Sequence, residues 1–168
     1  EDGYSDARHP DGVTFLAELR GDLARRDFTI NAMAADADGT VSDPFGGHED
    51  LRRGILRCVG TPETRFTEDA LRILRGLRFA SRLDLQIEHG TAQAMLALRE
   101  RLALVAPERL HKELDGLLCG TAASRVLREF RTVLWVLLPE LLQPEPVLWL
   151  LEPVCSLFSF LPQVREYI

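Results

Sequence analysis

The rhythm of apolar and polar positions changes near residue 65. Before that point the apolar runs are short and broken by turn residues. "GVTFLAEL" opens like a strand, "MAADADGTVSDPF" predicts a hairpin with Asp38-Gly39 at its tip, and "ILRCVG" alternates as a short strand. "DPFGG", residues 43–47, marks a sharp connection through its proline and paired glycines. One run, "RRDFTINAMA" (Arg25 to Ala34), reads as helix yet gathers two arginines, an aspartate, a threonine and an asparagine beside Phe28, Ile30 and Met33.

Beyond residue 65 the apolar spacing becomes helical. "TEDALRILRGLRFASRL" predicts a helix over Thr67–Leu83, with Thr67 as its N-cap and Glu68 and Asp69 in its first turn. "TAQAMLALRERL" predicts a second helix. "APERLHKELDGLLCG" predicts a third, with Pro107 near its start and Gly120 as its stop. "TAASRVLREFRTVLWVLLPELL" predicts a fourth that ends near Pro139. The fold class expected is α+β, a small mixed portion feeding an all-helical one, with three sections at 1–65, 66–142 and 143–168.

On a wheel of the Thr67–Leu83 helix, Ile73, Leu74, Leu77 and Ala80 share one arc, the expected core face. Asp69, Arg72, Arg75 and Arg78 step around the other side, with Arg82 near them. An exposed helix could carry Asp69 and Arg72 as a simple i, i+3 ion pair. This face, however, has no acid between Asp69 and Asp84, so its guanidiniums are expected to repel one another unless an anion lies among them. A nucleoside triphosphate is such an anion. A carboxylate can accept from an exocyclic amino group of adenine or cytosine, and a guanidinium three residues on can donate to the adjoining ring nitrogen.

Composition narrows the classes. A net charge of −6 argues against a generally basic nucleic-acid binder and leaves a local basic groove open. The twenty basic residues are nineteen arginines and Lys112, which codon usage explains and phosphate or base recognition also suits. Cys58, Cys119 and Cys155 are widely spaced, and with His9, His48, His89 and His111 they form no metal-ligand pattern; a reducing cytoplasm is the expected setting. The apolar run from Val133 to Pro162 is interrupted by Glu140, Glu145, Glu152 and five prolines, so no membrane span is expected. The opening "EDGYSDARHP" does not read as a signal peptide.

Taken together, "RRDFTINAMA", "DPFGG" and "EDALRILRGLRF", in that order, resemble the bacterial class II tRNA nucleotidyltransferases, the CCA-adding enzymes, and the related bacterial poly(A) polymerases. "DGYSDARHPDGVTF" and "ERLHKELDGLLCG" fit the same family, so the resemblance runs from about Glu1 to Leu142. It implies the C-terminal edge of a polymerase-β-like nucleotidyltransferase head, followed by a helical neck and the start of a body. It implies that Arg26 contacts the nucleotide, Asp27 helps recognise the ribose and Asn31 supports the pocket. Asp69 and Arg72 become the base-selecting pair for CTP and ATP, and Arg75 and Arg78 reach the triphosphate. Glu68 is expected to cap the helix or orient Arg72, Arg25 to face solvent, and "DPFGG" to be a flexible hinge.

The partners implied are ATP, CTP and a tRNA or other RNA 3′ end. The family's Mg²⁺ is implied too, held by acids of a "GG-x-V-R-D … D-x-D" block that is expected upstream of Glu1. No residue of this chain is therefore expected to be catalytic, and Asp36 and Asp38 are not expected to hold metal. "QPEPVLWLLEPVCSLFSFLPQVREYI" shows no match to the family and no HD-type hydrolase motif. The chain thus reads as the nucleotide-selecting part of a CCA-adding enzyme. The alternatives are a poly(A) polymerase or A-adding enzyme, a binding fragment without catalysis, and a helical scaffold.

Overall fold

The computed structural model describes residues 19–138. The strand-like start of "GVTFLAEL", the N-terminal motif and everything from Pro139 onward, including most of the apolar run, lie outside the described residues. Helix α1 covers residues 19–24. The run "RRDFTINAMA", expected as helix, instead makes a turn at residues 25–27, an isolated antiparallel bridge between Phe28 and Cys58, and a 3-10 turn over Thr29–Asn31. The reason lies in long-range pairing. Thr29 N donates to Arg57 O at 2.9 Å and Val59 N to Asp27 O at 3.1 Å, which pulls the chain extended where local spacing favours helix.

The hairpin forms as expected. Strand β1 (Ala34–Ala35) pairs antiparallel with β2 (Val41–Ser42), and Gly39 at the turn has φ +89°. "DPFGG" then leads into a helix the sequence did not announce, α2 (Gly47–Arg52). Asp43 caps it, its carboxylate accepting from Gly47 N at 2.8 Å and His48 N at 2.9 Å. A side chain at Gly47 would collide with Thr29 O, so this turn is docked tightly on the "RRDFTINAMA" run.

Strand β3 (Ile55–Leu56) pairs in parallel with β4 (Gln86–Ile87), a strand too short to leave an alternating pattern. Between them lie α3 (Pro62–Glu68) and α4 (Leu71–Leu83). The expected start at Thr67 is thus corrected. Pro62, placed at the head of a helix where its missing N–H costs nothing, begins α3 earlier, and Thr67 falls inside that helix. The chain breaks at Asp69, whose backbone is extended (φ −146°) and whose Oδ1 accepts from Leu71 N at 3.1 Å. The first-turn acid therefore caps the second helix.

Helix α5 (His89–Ala97) is capped by Glu88 and passes into a 3-10 stretch, Arg99–Leu104. Then come α6 (Pro107–Leu118), α7 (Ala123–Glu129) and α8 (Arg131–Leu134). The expected fourth helix is therefore two, parted at Phe130. No helix among the described residues is long and apolar enough to cross a membrane.

The predicted core face of α4 is buried as expected, with Ile73, Leu74, Leu77 and Ala80 inaccessible to solvent. One continuous cluster joins them to Phe28, Leu56 and Cys58 from the first portion and to Met95, Leu117, Val126 and Val133 from the later helices. Two glycines allow the closest approaches. At Gly76 a Cβ would press on Phe28 and Met95. At Gly120 it would lie 2.0 Å from Ser81 Oγ and 2.6 Å from the Ser81 carbonyl carbon.

Two outcomes are expected. Gly120→Ala should destabilise the fold by about 1–3 kcal/mol in urea unfolding, as overpacking does, whereas Gly21→Ala, with open space around it, should be neutral or slightly stabilising. Burial pushes the Cys58 thiol up to about 12 from 9.0. Because the folded value is raised, the stability from a neutral buried thiol is complete below pH 9 and is lost progressively as pH rises towards 12. Urea titrations at pH 8, 9.5 and 10.5 should show that decline, and Cys58→Ala should flatten it.

Candidate nucleotide-selecting site

The turn at residues 25–27 and the α3–α4 break face each other. At their junction lies Asp27, buried, its carboxylate shared by two arginines of α4. Arg72 Nε donates to Asp27 Oδ1 at 2.8 Å, and Arg75 Nη1 pairs with Oδ2 at 2.7 Å. Two of the guanidiniums expected to lack an internal counter-ion, Arg72 and Arg75, therefore share one, which lies 45 positions before Arg72. Nor do Asp69 and Arg72 form the simple i, i+3 pair.

Arg72 is largely buried and anchored on three sides. Besides Asp27, its Nη1 donates to Glu68 Oε2 at 2.7 Å and to Arg65 O at 2.9 Å. Burial works to lower its pKa, but the bonds to Glu68 and Asp27 outweigh it and the value is raised, so the cation is secure. Glu68 is held below its ordinary range chiefly by its hydrogen bond from Arg72. Among the described residues Arg72 Nη2 has no hydrogen-bond partner, which leaves the free edge of the fork for a ligand.

Asp69 is half-buried. Its Oδ1 caps α4, and its Oδ2 accepts from Arg109 Nη2 of α6 at 2.9 Å. Each oxygen keeps a second lone pair. Asn31 Oδ1 accepts from Phe28 N at 3.1 Å and so closes the 3-10 turn that follows Asp27. Phe28 is fully buried, Ile30 packs half-buried against the same cluster, and Met33 is half-buried. Arg25 and Arg26 are exposed and share Asp22, at 3.1 Å and 3.4 Å. Such surface pairs contribute little, at most about 1 kcal/mol, so both side chains are free to leave it for an anion.

Arg78 stands apart from this group. Its Nε donates to Glu113 of α6, its guanidinium lies 4.4 Å from the Phe79 ring centroid, and its stem packs on Gly116. The structure thus brings Asp27, Arg72 and Arg75 into one cluster, sets Arg26, Asn31 and Asp69 on its border, and turns Arg78 towards α6. The sequence reading did not single out Arg65, Arg109 or Glu113. Only the last two left a signal, an i, i+4 pair of opposite charges on α6.

Among the described residues no group of three or more His, Cys, Asp or Glu side chains is placed to hold a metal ion. Asp36 and Asp38 lie on the exposed hairpin turn, where Asp38 accepts from Thr40 N at 2.9 Å. These residues do not fit the Mg²⁺ that the resemblance implies.

Removing the charge of Asp27 leaves two arginines, one of them largely buried, without their shared anion. Asp27→Asn should therefore lower unfolding free energy by about 1.5–3 kcal/mol, the scale of a hydrogen bond to a charged group. Arg25→Ala should change it by no more than a few tenths. Chemical denaturation of the two variants beside the parent chain checks both.

Comparison with known proteins gives the arrangement its context. Residues 1–57 match the Poly A polymerase head domain, and residues 84–143 match a domain described as the probable RNA and SrmB-binding site of polymerase A. The break at Asp69 and the whole of α4 fall between the two matches. A CCA-adding enzyme of Leuconostoc mesenteroides is 50% identical over 127 residues, 76% of this chain and 32% of the relative. A crystal structure of the Bacillus stearothermophilus CCA-adding enzyme in complex with CTP shares 48% identity with a TM-score of 0.65, covering 66% of this chain and 28% of the other. The Thermotoga maritima CCA-adding enzyme complexed with tRNA shares 32% with a TM-score of 0.69, covering 88% and 37%. The chain spans about a third of the length of the relatives it matches. With the head-domain match before the α3–α4 break, the RNA-binding match after it, and an α+β architecture shared with these structures, the chain belongs to the CCA-adding enzyme and poly(A) polymerase family of nucleotidyltransferases.

Proposed function

We propose that this chain is the nucleotide-selecting part of an enzyme that adds CMP, CMP and AMP to the 3′ end of tRNA. The observation that carries the reading is the placing of Asp69 at the helix break three residues before Arg72, each side chain with hydrogen-bonding capacity left over. Asp69 accepts from the exocyclic amino group that cytosine and adenine share, and Arg72 Nη2 donates to the adjoining ring nitrogen. Uracil and guanine present a carbonyl where the amino group should be, and that carbonyl would face the Asp69 carboxylate. No template strand is needed, because protein side chains supply the complementary edge.

The remaining roles follow from charge and position. Arg26, weakly held at the surface, and Arg75 are placed to meet the triphosphate, while Asp27 and Asn31 shape the ribose side of the pocket. Arg78 reaches substrate only by leaving Glu113. The division expected from the sequence places the head edge in 1–65, the selecting and RNA-binding neck in 66–142 and the start of the body in 143–168. The relatives whose structures hold CTP, ATP and tRNA support the choice of substrates. Mg²⁺, when bound by the native enzyme, would supply charge neutralisation for phosphoryl transfer.

In the full-length native protein, Asp69→Ala should reduce the preference for CTP and ATP over UTP and GTP by tenfold or more, the scale on which polar groups discriminate substrates, with folding retained. Unchanged discrimination in a folded variant sinks the assignment. Offering the parent protein a tRNA that ends at its discriminator base, with CTP alone, should yield two added residues. Addition of A from ATP with no addition of C favours the A-adding or poly(A) alternative.

A further inference from the structure

We propose that Arg65 is the positioning residue of the selecting site, a single guanidinium that fixes Arg26 and Arg72 relative to one another. The inference rests on the nucleotide-selecting reading above. Arg65 lies on α3 with only 12% of its side chain exposed, so it is poorly placed to be a ligand itself. Its Nη2 donates to the backbone carbonyls of two successive residues, Arg25 and Arg26, the latter at 2.8 Å. Its Nη1 donates to Glu68 Oε2 at 2.8 Å, the same oxygen that accepts from Arg72 Nη1. Its own carbonyl also accepts from Arg72 Nη1.

These bonds close a ring. From the turn carbonyls it passes through Arg65 to Glu68, on to Arg72, and back to the turn through Asp27. Backbone bonds from Val59 and to Arg57 hold Asp27 and Thr29, but without Arg65 the turn would be tied to the arginine cluster of α4 through the Asp27 side chain alone. The second attachment grips the carbonyl side of the peptide between Arg25 and Arg26, whose N–H already donates to Leu23 O at 3.1 Å, and so helps set the direction in which the Arg26 side chain leaves the backbone. Arg26 has no other side-chain anchor among the described residues than the 3.4 Å contact with Asp22. The fork of a guanidinium suits this task and an ammonium does not, since two carbonyls and a carboxylate must be met from fixed directions.

Stability alone is a weak reason for the arrangement. Burying a guanidinium is costly unless every donor is met, and Arg65 Nε is buried with no hydrogen-bond partner. An incompletely satisfied cation at the seam between two recognition segments is what a site that needs fixed geometry would retain.

The test uses Arg65→Lys in the full-length native protein, with Arg65→Gln as a second variant should the first not fold. Steady-state addition to tRNA acceptors is measured with CTP, ATP, UTP and GTP, alongside thermal melting. The expected result is a KM for CTP and ATP raised about tenfold, kcat changed less, and a CTP-over-UTP preference reduced by a similar factor, the cost of a lost charge-assisted contact acting through position. A variant that melts earlier but keeps its KM values and its discrimination overturns the proposal and leaves Arg65 a structural staple. A parent protein that adds no nucleotide overturns the functional reading itself, an outcome separate from an active parent whose Arg65→Lys variant behaves like it.

Discussion

Asp27 holds two arginines of α4 with one carboxylate, and the geometry of the candidate site descends from that contact. The Asp27 backbone is pinned by its hydrogen bond from Val59, so the position of the carboxylate is set by the first portion of the fold. Arg72 and Arg75 are carried by α4, whose opposite face is sealed into the core. The ion pairs therefore register two separately built surfaces. Their net contribution to stability is small, because removing such groups from water costs several kcal/mol per ion and the Coulomb gain does little more than offset it. The buried side chains, Phe28, Phe66 and Met95 among them, hold the molecule together, at about 1.5–3 kcal/mol each. The charges specify how its parts meet.

The difference between those two kinds of interaction explains what the sequence disclosed. Burial of one helix face is a local property, visible as Ile73, Leu74, Leu77 and Ala80 at helical spacing, and all four proved inaccessible. The hairpin was legible for a similar reason, since Asp38-Gly39 carries its own turn geometry. The partners of the arginines were not legible. Asp27 and Glu113 lie 45 and 35 residues from the arginines they meet, and no local pattern encodes such a pairing. The polar face of α4 therefore looked unopposed when it was not.

Boundaries failed for a subtler reason. Thr67 and Asp69 both have the chemistry of a helix cap, and only the tertiary position of α3, started by Pro62, decides between them. Residues 25–34 have helical spacing, yet Phe28 is drawn into a bridge with Cys58. The family motifs succeeded where periodicity could not, because their order along the chain reports a shared architecture directly.

Helices α4 and α6 run side by side in the same direction, joined by Asp69 with Arg109, Arg78 with Glu113, and Ser81 Oγ donating to Leu117 O at 2.6 Å. The core is equally indifferent to the limits of the two matched domains, since Phe28 from one packs with Met95 from the other around Gly76. Together with the parallel pairing of β3 and β4, this means that the two matched regions share a single interior. Neither region of this chain can be replaced as a module unless its packing partners are replaced with it. A change of volume at position 76, 28 or 95 of this chain is felt at the other two, across the border between the matched regions as within either of them.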